Sequence, residues 1–381
     1  MLALAGAVGL REAQISVTPT VVDVSIGSLQ SQRSYTLRVH PASVDLDAIA
    51  RLDHLVQGVL DGRLDVPGPL AALEEARARP LRHPWPFAIG GYALAGSALA
   101  PVLGGSTRDA AAAALVGLAV GVLVVSTRLV VRTEPIIVPI AAVAAGFGSY
   151  ALAQLFEVTP DLVALAALVT LLPGMTLTIG MRELATEHLQ SGVANTANAL
   201  VQLLGLVFGV EIGRSIAVTW FGSVGQTAPS PAFSSWHLLA AVAAGLAFTF
   251  TLRARYRDAY VMCAATVLAL VANELGAALF GNQAAAFVAT LVVGVVGGVA
   301  GSLLRRSPLV FIVPGVLMLV PGSAGYNSVL RLVTDQTING ITAGFDTFVT
   351  AISIAYGLMV SSVVLPRRFT RLEARGAPTG R

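Results

Sequence analysis

Long apolar runs, separated by short polar segments, fill the chain from about residue 85 to residue 365. Each run has about 17 to 25 residues, the length that a helix needs to cross ~30 Å of hydrocarbon. The pattern therefore predicts an all-α polytopic membrane protein with about ten transmembrane helices. The predicted spans are 86–104, 110–127, 135–156, 161–181, 194–219, 236–252, 258–280, 284–304, 308–330 and 342–365.

The first 84 residues follow a different pattern, because short stretches rich in β-branched residues alternate with charged segments. This pattern predicts a small soluble α+β domain over residues 1–84, which the proline-rich segment 80–86 joins to the first span. Pro19 lies inside the first predicted strand and predicts an edge strand or a bulge there. Strands are predicted over 14–26 and 35–39, and helices over 45–60 and 69–79.

Composition agrees with a membrane protein. The chain is 55% hydrophobic and 12% charged, whereas a soluble domain is about a quarter charged. The net charge of +3 comes from arginines spread between apolar runs, so nucleic acid is not an expected partner. The five histidines are scattered and Cys263 is the single cysteine. No G-x-S-x-G elbow, phosphate loop or H-E-x-x-H motif occurs, so we predict no catalytic residue, metal or cofactor.

Arginines are concentrated in every second segment between the predicted spans. Because cytoplasmic loops carry an excess of Lys and Arg, this pattern places the N-terminal domain and the tail, residues 367–381, in the cytoplasm. The predicted location is the plasma (inner) membrane, and two ends on one side require an even number of spans. The arginines assigned to the cytoplasmic side are Arg77, Arg79, Arg82, Arg128, Arg132, Arg182, Arg253, Arg255, Arg257, Arg305, Arg306 and those from Arg367 onward.

The membrane part contains an internal repeat. An offset of 148 residues aligns residues 171–174 (LLPG) with residues 319–322 (LVPG), and hydropathy gives five spans on each side. The predicted halves are 85–232 and 233–366. Because five is odd, the two copies must have opposite orientations, an arrangement typical of secondary transporters that alternate access to a central site. The same offset pairs Leu184 with Leu332, Thr186 with Thr334, Gly192 with Gly340, Val201 with Val349, and Gly209 with Gly357.

Pro-Gly pairs interrupt the predicted spans at Pro173–Gly174, Pro314–Gly315 and Pro321–Gly322. Proline lacks the helix N–H and clashes with the preceding turn, so we predict helix breaks at all three. Freed backbone groups at membrane depth are tolerated only against protein or a water-lined cavity, although a packing kink is the alternative. Nearby hydroxyl and amide groups suit a small zwitterion, although such groups also bond to their own helix. The further candidates for the translocation site are Thr176, Thr178, Asn195, Asn198, Ser323, Tyr326 and Asn327.

Acidic residues inside predicted spans are costly and are therefore candidates for function. Glu274 and Asp346 are candidates for proton coupling, because a carboxylate in an apolar site binds a proton more readily than a solvated one. Glu211 is a third candidate, although a structural ion pair with Arg214, three residues further on, is the alternative. Asp346 is also the repeat counterpart of Asn198.

Three motifs, in this order, resemble those of the threonine/serine exporter family. They are the segment 17–20 (VTPT), the segment 172–178 (LPGMTLT) continuing to Met181–Leu184, and the segment 313–323 (VPGVLMLVPGS). The resemblance implies a ten-span secondary exporter of threonine and serine that is driven by the proton gradient. It also implies that the natural protein begins before Met1, because the family usually has a helical stretch ahead of the first motif. The functional core that it implies is Pro173, Gly174, Thr176, Arg182, Pro321, Gly322 and Ser323.

Other function classes stay open at the level of sequence. Split relatives of the family are associated with dicarboxylate export, so a dicarboxylate is an alternative substrate. A membrane-embedded enzyme would need a convergent acid–base or nucleophile set, and a channel or scaffold would need only the helices. The expected partners are the amino-acid substrate, protons and the lipid bilayer, and a homo-oligomer also stays open.

Overall fold

The computed structural model describes residues 5–6, 12–27, 31–39, 44–60, 84–130, 134–223, 235–304, 306–319, 321–333 and 337–364. The N-terminal part is a three-stranded antiparallel sheet in the order β1-β2-β3, followed by the helix α1. The strands are β1 (Ala13–Val17), β2 (Val21–Ile26) and β3 (Arg33–Arg38), and α1 is Leu46–Leu60.

The prediction of one strand over 14–26 is wrong, because the chain turns between β1 and β2. Val17 pairs with Val22, and the Thr18 hydroxyl donates to the Val21 carbonyl and accepts from the Val21 N–H, both at 3.1 Å. Pro19 therefore lies in a tight turn, where its fixed φ is favourable and its missing N–H costs nothing. The helix predicted over 45–60 is confirmed, and the helix predicted over 69–79 lies outside the described residues.

Twelve further helices follow in the described part of the chain. They are α2 (Trp85–Val102), α3 (Thr107–Val130), α4 (Glu134–Ala153), α5 (Pro160–Leu168), α6 (Gly174–Ala185), α7 (Leu189–Phe221), α8 (Ser235–Thr251), α9 (Ala259–Phe280), α10 (Asn282–Leu304), α11 (Leu309–Leu319), α12 (Pro321–Val333) and α13 (Thr337–Val364).

Seven helical segments among the described residues are long and apolar enough to cross a membrane, or eight if the bent pair α5 and α6 is one span. The chain is therefore a helical, multi-pass membrane protein, as predicted. A total of ten spans is reached from eight only if α2 and the shorter apolar helix α8 also cross the membrane. The count of ten therefore stays a prediction.

Small residues are fully buried at many positions where the helices of the membrane part pack together. Ala113, Ala142, Ala166, Ala244 and Ala265 are each fully buried. Lipid tails are as apolar as the side chains, so helices in a bilayer associate through close van der Waals packing, which small residues permit.

The break predicted at Pro173–Gly174 is confirmed. A 3-10 turn over Val169–Leu171 ends α5, Pro173 precedes the first residue of α6, and the two segments are bent by 59°. Proline cannot donate to a preceding turn, so the helix ends before it and restarts after it.

The break predicted at Pro314–Gly315 is wrong, because Pro314 lies inside α11. A side chain on Gly315 would lie 2.7 Å from Cγ1 of Val293 in α10, so this glycine permits a close helix crossing. The third Pro-Gly pair lies at a helix start, because Pro321 is the first residue of α12. Proline is favoured at that position, where its missing N–H would have no partner in the helix.

Local geometry recurs between the two parts of the membrane region. The six helices α8 to α13 each begin 147 to 152 residues after the corresponding helix of the series α2 to α7. A Cβ atom on Gly209 would lie 2.7 Å from the Pro139 carbonyl oxygen, and one on Gly357 would lie 2.7 Å from the Phe287 carbonyl oxygen. The crossing of α4 with α7 thus has the same close contact as the crossing of α10 with α13.

The helices α2 and α8 pack antiparallel. Phe87, at the start of α2, stacks on Phe250, at the end of α8, with ring centroids 5.8 Å apart. A Cβ atom on Gly91 would lie 2.9 Å from Cβ of Phe250. The start of α2 therefore lies beside the end of α8.

The helix α1 is docked on the loop between α8 and α9. Leu46 is only 1% exposed and belongs to the main apolar core, and its N–H donates to the Leu252 carbonyl at 3.0 Å. Two ion pairs flank it, Asp45–Arg253 at 3.5 Å and Asp47–Arg255 at 2.8 Å. The helix α1 therefore lies on the end of the membrane part that carries these arginines.

Candidate functional site

The two Pro-Gly segments that begin α6 and α12 meet inside the membrane part. A Cβ atom on Gly322 would lie 3.0 Å from Cβ of Leu172 and 3.2 Å from the backbone nitrogen of Gly174. The N-termini of α6 and α12 therefore abut, although 148 residues of chain separate the two glycines. Helix N-termini carry N–H groups without helical partners and a partial positive charge, so this junction can bind a carboxylate.

Buried hydroxyls lie on the segments that form this junction. Within the described residues, neither Thr170 Oγ1 nor the Tyr326 hydroxyl has a hydrogen-bond partner, although both atoms are shielded from solvent. Thr178, in contrast, donates to the Gly174 carbonyl of its own helix at 2.9 Å. Ser323 is buried, and Thr176 and Asn327 are half-buried.

The predicted polar residues further along α6 and α7 form a second group. Arg182 is exposed and lies eight residues after Gly174, about 12 Å along the helix. The Asn195 amide donates to Glu183 at 2.7 Å, and the exposed Asn198 accepts from Gln202 at 3.3 Å. The structure therefore does not bring these side chains to the junction of α6 and α12.

The three acidic candidates lie on three different helices, α7, α9 and α13. Glu211 pairs with Arg214 at 3.2 Å, on one face of α7. Glu274 and Asp346 are exposed at the surface of the chain, and within the described residues their carboxylates have neither a hydrogen bond nor an ion pair. None of the described His, Cys, Asp and Glu residues form a group of three that could hold a metal ion.

Sequence reasoning did not identify Tyr150 or Asp161. The Tyr150 hydroxyl donates to Asp161 Oδ1 at 2.8 Å, and the Arg214 guanidinium lies 5.5 Å from the centroid of the Tyr150 ring. Asp161 follows Pro160 at the start of a predicted span. Acidic residues are common at the N-terminus of any helix. The sequence therefore carries no specific signal for this pair.

Comparison with known proteins identifies the family. The family model described as "Putative threonine/serine exporter" matches residues 1–217, and the model described as "Threonine/Serine exporter, ThrE" matches residues 235–364. None of the solved structures compared with the chain matches it significantly.

Two named relatives span nearly all of the chain. A Mycobacterium tuberculosis protein named "Probable threonine/serine exporter" is 28% identical over 376 residues, which are 94% of this chain and 70% of that protein. A Corynebacterium glutamicum protein named "Threonine/serine exporter" is 22% identical over 382 residues, which are 96% of this chain and 77% of that protein. The chain therefore belongs to the threonine/serine exporter family, and it is a transporter rather than an enzyme.

Proposed function

We propose that the chain is a secondary active exporter of small hydroxy amino acids, threonine and serine, driven by the proton gradient. The names of the two relatives support this substrate class. The junction of α6 and α12 supports a binding site for a carboxylate, which every amino acid carries. We place the protein in the plasma membrane with both chain ends in the cytoplasm, because arginines alternate with the spans and α1 docks beside Arg253 and Arg255.

The transport cycle that we propose is alternating access between two inverted five-helix halves. Three observations support it: the recurrent helix starts, the equivalent glycine contacts, and the antiparallel packing of α2 against α8. If the two halves exchange conformations, a site at their shared junction opens first to one side and then to the other. The abutting N-termini at Gly174 and Gly322 lie at such a junction.

Within this site the substrate carboxylate would accept hydrogen bonds from the first amides of α6 and α12. The Thr170 and Tyr326 hydroxyls, which are buried without partners among the described residues, would bond to polar groups of the substrate or to water that accompanies it. Asp346, Glu274 and Glu211 remain the candidates for the proton-coupling carboxylate. Of these, Glu211 alone has an ion-pair partner among the described residues.

Efflux of labelled threonine and serine from proteoliposomes, with and without an imposed proton gradient, tests the proposal. Gly322→Ala places a methyl group 3.2 Å from the Gly174 nitrogen, so we expect roughly a tenfold or greater loss of efflux, the cost of one charge-assisted hydrogen bond. Gly148→Ala is the matched control, because its methyl group would make an ordinary 3.5 Å contact with Val116.

Asp346→Asn, Glu274→Gln and Glu211→Gln test the coupling assignment in the same assay. The coupling residue is the one whose variant retains threonine flux but loses its stimulation by the gradient. Wild-type protein that is folded and moves neither amino acid would refute the substrate assignment, and a dicarboxylate would be tested next.

A further inference from the structure

The motif at residues 17–20 (VTPT) has no part in the junction of α6 and α12, but it contacts the membrane part. It forms the turn between β1 and β2. The Ser191 hydroxyl, in the first turn of α7, donates to the Val17 carbonyl at 3.2 Å, and Ser191 is only 6% exposed. We call this contact the sheet anchor. It fastens the three-stranded sheet to α7, in the first of the two proposed halves.

The helix α1 has a second anchor, on the other proposed half. The Leu46 N–H donates to the Leu252 carbonyl at 3.0 Å, between two ion pairs with arginines of the α8–α9 loop. We call this set of contacts the helix anchor. The helix α1 also contacts α11. Arg306, just before α11, pairs with Asp258 at the end of the α8–α9 loop, so the helix anchor lies beside the start of α11.

A short stretch of chain joins the two anchors. The Val39 N–H donates to the Thr20 carbonyl at 2.8 Å, so the end of the sheet lies at the same turn as the sheet anchor. Leu46 follows Val39 by seven residues, which span at most about 25 Å when fully extended. The start of α7 and the α8–α9 loop therefore cannot move far apart while both anchors hold. We call the sheet and α1, joined in this way, the strap.

The two anchors lie at the ends of helices that lead to the junction of α6 and α12. The helix α6 begins at the junction with Gly174 and has 12 residues, about 18 Å of helix. A Cβ atom on Gly192 of α7 would lie 2.7 Å from Cγ of Leu184, so the start of α7 packs tightly against the end of α6. The helix α11 has 11 residues, about 17 Å of helix, and ends just before Pro321. The strap thus crosses from one half to the other at a similar distance from the junction along each helix.

We propose that the strap is a closing device for the cytoplasmic end of the exporter: docked on both halves it holds them together there, and an anchor must release before threonine passes between this end and the junction. The inference rests on the proposed function, because alternating access separates the halves first at one end and then at the other. A tether across the end that separates stabilises only the closed state, so its contacts shift the populations of the two states.

The sheet anchor is the one that releases first. It is a single hydrogen bond, whereas the helix anchor combines a hydrogen bond, two ion pairs and the Leu46 side chain, which is 1% exposed. Ser191→Ala removes the hydrogen bond of the sheet anchor. It should therefore raise the rate of threonine entry from the cytoplasmic side, at low threonine, by roughly 2- to 13-fold.

Cross-linking of the sheet anchor in proteoliposomes tests the proposal. In a Cys263→Ala background, Val17→Cys and Gln190→Cys place thiols on two exposed residues at the anchor, where a short, reducible bifunctional thiol reagent can join them. Efflux of labelled threonine should fall roughly tenfold or more, because opening then requires release of the stronger helix anchor. Reduction should restore efflux, which shows that the protein stays folded. Arg108→Cys with Glu157→Cys is the matched control, because this exposed ion pair joins two segments of one half, and its cross-link should leave efflux unchanged.

Lengthening the chain between the anchors distinguishes a strap from a local effect of the cross-link. Eight Gly and Ser residues inserted after Val39 add about 16 Å of average reach, so the cross-linked protein should then transport again. The same insertion after Leu60, which lies beyond the helix anchor, should not restore efflux.

Full efflux from the cross-linked protein would overturn the proposal, as would a cross-linked protein that stays inactive with the insertion after Val39. Wild type that is folded and moves neither amino acid would refute the proposed function, and the strap with it. If wild type transports threonine, the effect of the cross-link concerns the strap alone.

Discussion

Replacing Asp47 with alanine should release α1 from the membrane part. The Asp47 side chain is 3% exposed, accepts a hydrogen bond from Arg255 at 2.8 Å and forms an ion pair with Arg51 at 3.4 Å. Removing one member of a buried ion pair costs about 3–5 kcal/mol. Arg255 is 41% exposed and Arg51 is 24% exposed, so both regain water and the expected cost falls to roughly 1–3 kcal/mol.

Hydrogen exchange of the α1 backbone amides measures this cost directly. If α1 opens locally, the exchange of its amides should accelerate by a factor of roughly 5 to 150 in Asp47→Ala. Asp53→Ala is the matched control, because it removes the same side chain from the same helix at a position that has no ion pair among the described residues. Equal protection of α1 in the two variants would show that the Asp47 contacts do not hold the domain in place.

Three further predictions concern packing, the buried hydroxyl and topology. Gly209→Val should lower the Tm, since overpacking costs about 1–3 kcal/mol and a Cβ there would lie 2.7 Å from a carbonyl of α4; Gly205→Val, with an ordinary 3.6 Å contact, should change it little. Tyr326→Phe should leave the stability unchanged or raise it by about 1–3 kcal/mol, because it removes a buried hydroxyl that has no partner among the described residues; a clear fall in the Tm would contradict that reasoning. In a cysteine-free background, Gln154→Cys should react with an impermeant reagent added outside intact cells and Arg257→Cys only after permeabilisation; the reverse would invert the proposed topology.

Hydropathy predicted most of the membrane helices, because an apolar run of bilayer length has few other stable conformations in lipid. The helix α1 could also be predicted, since its apolar residues recur at helical spacing. The turn at Pro19 was missed because β-branched and apolar residues on both sides continue the strand pattern across it. Turn chemistry, here the Thr18 hydroxyl bonded to Val21, overrides that pattern.

All three Pro-Gly pairs were predicted to break a helix, but the structure shows a different outcome for each. Pro173 ends one helix and precedes another, Pro321 begins a helix, and Pro314 lies inside one. A proline inside a helix removes a single hydrogen bond, and neighbouring packing can offset that cost. Which outcome prevails depends on contacts such as that of Gly315 with α10, and sequence does not display those contacts.

The candidate site could be predicted only in part, for the same reason. The sequence identified Gly174 and Gly322 as candidate site residues. The contact between them is visible only in the folded structure. It also identified Tyr326. It did not identify Asp161, because an acidic residue at a helix start carries no specific signal. A lone aspartate at a helix start is common, whereas a buried hydroxyl without a partner among the described residues is not.

Different polar contacts lie at the two ends of the membrane part. At one end, Leu46 and Asp47 attach α1 to the α8–α9 loop, and at the start of α5 Asp161 accepts a hydrogen bond from Tyr150. The direction of net flux in a secondary transporter is set by the gradients, and such contacts can change only the populations of its states. A contact of about 1–3 kcal/mol that exists in one state alone shifts its population ratio by roughly 5- to 150-fold. If α1 docks only while its end of the protein is closed, Asp47→Ala should therefore raise the rate of threonine entry from that side at low threonine, and leave the direction of gradient-driven flux unchanged.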